Sequence, residues 1–139
     1  MEKKQFSHKV ADIDEKQGIV KIYVNAFNNI DHANEISMPG AFSKTIKEGF
    51  KRLRHLKNHD RTLLLGLPIE AKEDSFGLLI TSKMNIEKQL VKDTFSDYLF
   101  FAENERTLEH SIGYDIIKWD YDQETGIQRN YEYKLYEYS

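Results

Sequence analysis

The chain has 139 residues, 40% hydrophobic and 31% charged, with a formal charge of −3 and no cysteine. Residues 1–139 therefore read as one domain able to bury its own core, and the missing thiols exclude disulfides, thiolate metal sites and a cysteine nucleophile. No apolar run reaches the ~18–20 residues that a membrane helix needs, and MEKKQFSHKV leads into no apolar segment, so neither a membrane span nor a secretory signal is expected.

The chain order predicts a strand-rich fold. FSHKVADI, the turn DEKQG and the alternating GIVKIYVNAF form a hairpin, with Gly18 at its bend. NNIDHANEISMPG is a loop closed by Pro39-Gly40. Phe42, Ile46, Phe50 and Leu53 recur at helical spacing, so AFSKTIKEGFKRL is an amphipathic helix. RHLKNHD is short and extended and enters a turn at 58–61. LLLGLPIEAKED is a strand in which Pro68 favours an edge or a bulge, and GLLITSKM is another. Val91, Phe95, Tyr98, Leu99 and Ala102 place a second helix within 89–105. Adjacent Phe100 and Phe101 point about 100° apart on that helix, so one is left for a partner, a second copy of the chain. EHSIGYDIIKWDYD and GIQRNYEYKLYEYS are closing strands joined by a turn at 124–126. Six or seven strands broken by single helices predict an α+β fold with a mostly antiparallel sheet or small barrel.

Charge is unevenly spread. Residues 1–61 hold 12 Lys/Arg against 8 Asp/Glu, and the remainder holds 8 against 15. The basic stretch at 44–61 interleaves its charges with Phe50, Leu53 and Leu56. It reads as the wet side of a helix and strand, and no nucleic-acid partner is expected.

Five histidines, at 8, 32, 55, 59 and 110, are the first candidates for chemistry. HLKNH sets His55 and His59 four apart, but Leu56 stands where a zinc protease needs its glutamate. A zinc site from His55, His59 and His110 stays an alternative. His59 lies at a turn between Asn58 and Asp60, suited to presenting a base to a serine hydroxyl. Ser111 reads either as a small residue where a strand crosses close to another backbone or as a nucleophile held on a rigid strand. It precedes Ile-Gly-Tyr in a period-two stretch in which Ser111, Gly113 and Asp115 share the parity opposite to Ile112, Tyr114 and Ile116, so the small Gly113 removes bulk around the hydroxyl. Glu132 and Glu137 on the last strand are candidates to orient an imidazole. No glycine-rich phosphate loop or Gly-x-Ser-x-Gly elbow occurs.

Taken in order, AFNNIDHANEISMPGAFSKTI, LKNHDRTLLLG, GLLITSKM, HSIGYDI and KLYEYS resemble the prohead maturation proteases of tailed bacteriophages. The resemblance covers nearly the whole chain beyond residue 6. It implies a serine endopeptidase with His59 as base, Ser111 as nucleophile and Glu137 as the third, acidic member. It implies a fold like that of the herpesvirus assembly proteases, a small antiparallel β-barrel flanked by helices. The implied substrates are a scaffold protein or the scaffolding segment of the major capsid protein, and the protease's own tail. Cleavage would occur inside the assembling prohead in the host cytoplasm, with no cofactor or metal. The competing expectation is a non-catalytic capsid-interior scaffold module that keeps the fold. Family chains usually continue past the Glu-x-Ser strand, so Ser139 is expected to be either a trimmed boundary or a self-processed terminus.

Overall fold

Residues 13–139 are described by the computed structural model, so most of the first predicted strand, at 6–13, lies outside the described residues. The elements run β1 (Ile13–Asp14), β2 (Ile19–Ala26), β3 (Glu35–Ser37), α1 (Ser43–Gly49), β4 (His55–Lys57), β5 (Asp60–Glu73), β6 (Gly77–Met84), α2 (Gln89–Glu103), β7 (Ile112–Asp122) and β8 (Ile127–Tyr138). A 3-10 turn at Phe50–Arg52 extends α1. The helix predicted over 41–53 is thus shorter and tightens at its end.

All eight strands join one sheet, with neighbours in the order β1-β2-β6-β5-β4-β8-β3 and β7 paired to β8. Every pairing is antiparallel except those of β3 and β4 with β8. The mixed fold with a large, mostly antiparallel sheet and two helices therefore forms. Among the described residues the closed barrel does not: the end strands β1 and β3 do not pair, and only isolated bridges, Phe27 to Ser37 and Ile30 to Ile36, link the segment after β2 to β3. Asn28 follows Phe27 with φ 60°, a left-handed turn that ends the strand before a ladder can grow.

The core follows from the alternation in β2 and β6. Val20, Ile22 and Val24 pack with Leu78, Ile80 and Met84, joined by Phe42, Leu53, Val91, Phe95, Tyr133 and Tyr138. Phe42 is fully buried and stacks on Tyr133 with ring centroids 4.7 Å apart. Truncating such an aromatic to alanine costs about 3–5 kcal/mol. Glu73 ties the Pro39–Gly40 turn to the sheet by accepting the Gly40 and Phe42 N–H groups at 2.6 and 2.8 Å. Beyond Gly66, β5 has no β4 partner, and its register with β6 shifts between Pro68 and Glu70. The proline accordingly sits on a free edge beside a bulge. On α2, Val91, Thr94, Phe95 and Tyr98 face the core. Phe101 is half-buried and Phe100 is exposed, since two adjacent helical positions cannot share one apolar stripe.

Candidate active site

His59 is placed by a two-residue hairpin. Lys57 of β4 pairs with Asp60 of β5, so only Asn58 and His59 make the turn, with φ values of 54° and 58°. A tight hairpin matching the right-handed strand twist needs positive φ at both positions. Asparagine accepts this readily. For histidine the conformation is uncommon and costs on the order of 1–3 kcal/mol, so surrounding contacts must hold it. One of them is the His59 N–H, which donates to Ser139 Oγ at 3.1 Å.

Ser111 and Glu137 arrive on the neighbouring strands. Ser111 does not lie within β7, as its sequence pattern had predicted, but directly before it. Its N–H and carbonyl pair with those of Ser139, both at 3.0 Å. Glu137 lies near the end of β8, opposite Gly113. A β-carbon added at residue 113 would collide with the Glu137 carboxylate. Gly113 thus makes room for the acid, not for the serine hydroxyl as its spacing had suggested.

The three side chains form a continuous chain of hydrogen bonds. His59 Nε2 lies 2.7 Å from Ser111 Oγ, and His59 Nδ1 bonds to Glu137 Oε2. Glu137 Oε1 accepts from Ser139 Oγ at 2.7 Å. The His59 side chain is 47% exposed while that of Glu137 is 12% exposed, so the imidazole meets solvent and the acid is sheltered behind it. A carboxylate beside Nδ1 accepts a hydrogen bond from the N–H of that nitrogen and so keeps the proton there, which leaves the Nε2 lone pair free to accept the serine O–H. This arrangement can deprotonate Ser111 as it attacks a carbonyl carbon and return the proton to a leaving group.

The other candidates fall elsewhere. Glu132 pairs with Lys118 at 3.5 Å. His32 is exposed in the loop before β3, and His8 lies outside the described residues. His55 and His110 do not join His59 around a metal, and among the described residues no three His, Asp or Glu side chains group to hold one. The reason is the hairpin: His55 points into the core four residues before His59 emerges at the tip. There His55 Nδ1 bonds Ser82 Oγ at 2.9 Å, Ser82 Oγ bonds the Tyr138 hydroxyl at 2.7 Å, and the Tyr98 hydroxyl meets His110 Nε2 at 2.6 Å. Burial, then the neighbouring His110, pushes His55 down to about 3. Burial pushes His110 down to about 4. Both are neutral core members directly behind the three hydrogen-bonded side chains, since His110 adjoins Ser111 and Tyr138 adjoins Glu137.

Ser139 is the residue that sequence reasoning missed. Its signal was present, because residues two apart on a strand share a face and Ser139 follows Glu137 by two. A cleft of about 200 Å³ borders Ser111 and is lined by Asn25, Asp31, Glu35 and Tyr114 among others. A second, of about 360 Å³, is lined by Arg52, Arg54, Arg61 and Glu137. A larger one of about 630 Å³ between α1 and β8 touches none of the three triad residues.

A family model described as caudovirus prohead serine protease matches residues 5–139. The chain is also similar to the prohead protease of Enterobacteria phage HK97, with 30% identity over 110 residues, a stretch that covers 78% of this chain and 47% of that protein. The chain spans about half the length of the curated relative it matches. No solved structure matches it.

Proposed function

The chain belongs to the caudovirus prohead serine protease family, and on that premise we propose that it is a serine endopeptidase of phage prohead maturation with His59, Ser111 and Glu137 as its catalytic groups. The observation that best supports this reading is the 2.7 Å approach of Ser111 Oγ to His59 Nε2 with Glu137 on the opposite ring nitrogen. His59 takes the hydroxyl proton as Ser111 Oγ bonds to the scissile carbonyl carbon. The tetrahedral intermediate collapses, the C–N bond breaks, and His59 gives its proton to the departing amine. Water, deprotonated by the same imidazole, then releases the acyl group and regenerates Ser111. Glu137 holds the ring in the tautomer that leaves Nε2 basic, and stabilises the imidazolium formed at each step.

In this reading the substrates are scaffold protein or the scaffolding segment of the capsid protein, together with the protease itself, cut inside the assembling prohead. Self-association through the exposed Phe100 of α2 belongs to the same reading, since a requirement for local concentration would delay cutting until the shell is built. The test is co-expression of wild type and Ser111→Ala with the cognate capsid and scaffold proteins, with fragments identified by mass spectrometry. Fragments that appear with wild type alone support the assignment. Identical fragments from a folded Ser111→Ala protein overturn it, and a wild type that cuts nothing favours the scaffold-module reading.

A further inference from the structure

The cleft beside Ser111 carries charge of one sign. Asp31 and Glu35, both half-buried, line it with Tyr114 and Asn25. Among the described residues no lysine or arginine lines it, and none of the ion pairs among them involves either carboxylate. Asp31 Oδ1 is occupied by the Ala33 and Glu35 N–H groups, and Glu35 Oε1 by the Asn130 amide. The second oxygen of each acid meets no protein donor among the described residues. Asn25 Oδ1, also buried, likewise accepts no hydrogen bond. The field of the two acids reaches into the cleft, because after burial it is Glu35 that does most to push the Tyr114 phenol up to about 12, with Tyr133 and Asp31 adding to it.

We propose that this cleft is the subsite for the side chain on the acyl side of the scissile bond, and that it selects a basic residue, lysine or arginine. The inference rests on Ser111 being the nucleophile. Of the side chains near a scissile peptide bond, the acyl-side one begins closest to the attacked carbon, two bonds away. It is therefore the one that reaches a cleft lined by Ser111 itself. About 200 Å³ holds one long side chain. Two carboxylates, each with one oxygen unmet, supply acceptors for an ammonium or guanidinium, at a site where an acidic side chain would be repelled and a neutral one would leave the acceptors unpaired. The basic cleft lined by Arg52, Arg54 and Arg61 adjoins Glu137 and does not include Ser111, so it lies further from the bond that breaks.

The test uses three peptidyl diphenyl phosphonates identical but for the acyl-side residue: lysine, norleucine or glutamate. In each, Ser111 Oγ bonds to phosphorus, a P–O bond breaks, and phenol leaves with the proton relayed by His59. The lysine probe should label the full chain at least tenfold faster than norleucine, and glutamate should be slowest. In Asp31→Asn/Glu35→Gln the lysine-to-norleucine ratio should collapse toward one. These changes keep the Oδ1 and Oε1 acceptors that the loop uses, and if the pair fails to fold, the ratio in Glu35→Gln alone decides. Labelling of Ser111 at rates indifferent to charge, or fastest with glutamate, overturns the subsite and leaves the serine chemistry standing. No adduct with any probe overturns the proposed nucleophile and the subsite with it.

Discussion

Ser111 and Ser139 exchange both of their backbone hydrogen bonds, each N–H meeting the other's carbonyl at 3.0 Å. This pair extends the β7–β8 ladder by one step beyond Ile112 and Tyr138. It fixes the serine hydroxyl relative to Glu137, which is two residues from Ser139 on the same strand face. The Ser139 side chain then reaches across to the third strand system, accepting the His59 N–H and donating to Glu137. One residue therefore touches His59, Glu137 and the Ser111 backbone.

Ser139→Ala should slow peptide cleavage about 30-fold, the effect of losing two hydrogen bonds of about 1 kcal/mol each, one to the His59 N–H and one to Glu137, from the orientation of those two residues. The backbone pair to Ser111 survives the change, so melting should barely move. The decrease belongs in kcat, with KM nearly constant, and Ser139→Thr should restore most of it. A KM change at constant kcat would show that Ser139 contacts substrate instead.

Ser111→Ala and His59→Ala should each remove nearly all activity, and the double variant should be scarcely worse. Nucleophile and base act as a unit, and comparable triads lose about 10⁶-fold for either. Glu137→Gln should lose less, on the order of 10⁴-fold. Cleavage of one peptide by all four proteins, with melting as control, checks the series. Additive losses in the double variant would mean that His59 and Ser111 work in separate steps.

Gly113→Ala tests how the acid is seated. The substituted methyl would overlap the Glu137 carboxylate, while the backbone at 113 is not in the left-handed region that only glycine tolerates. The side chain of Glu137 must therefore swing, pulling on His59. A displacement of about 1 Å at a catalytic group costs on the order of 10²-fold in rate. That loss should appear with a modest fall in melting temperature. Near-normal activity would show that Glu137 is free to move without consequence.

Much of this site was legible because its parts are local. The alternation in GIVKIYVNAF and GLLITSKM specifies two strands buried on one side, and Asn-His-Asp marks a turn that presents His59. The grouping of His59 with Ser111 and Glu137 came from the order of motifs, not from periodicity. The remainder depends on long-range geometry. How far the chain after β2 runs beside β3 is limited by Asn28, which turns left-handed directly after the bridge at Phe27. The collision that reserves residue 113 for glycine involves a side chain 24 positions away. His55 and His59 share a parity, yet a two-residue hairpin with both φ values positive sends one into the core and the other to the surface.

The two core histidines predict how stability depends on pH. In the folded protein His55 and His110 are held at about 3 and about 4, against about 6.5 in an unfolded chain. Their hydrogen-bond partners are the hydroxyls of Ser82 and Tyr98 and, for His110, the backbone of Leu108, none of which carries a charge to balance an imidazolium. As pH falls below about 6.5, the unfolded chain takes up protons that the folded chain refuses. Stability is therefore complete above that pH and is lost progressively toward pH 4. The slope approaches about 1.4 kcal/mol per pH unit for each histidine once its unfolded form is fully charged. Urea midpoints measured from pH 7.5 to 4.5 should decline accordingly. His110→Gln keeps a polar partner for Tyr98 but cannot titrate, so its curve should fall less steeply than wild type even though it starts lower. Parallel curves for the two proteins would show that the loss at low pH comes from carboxylates and not from this pair.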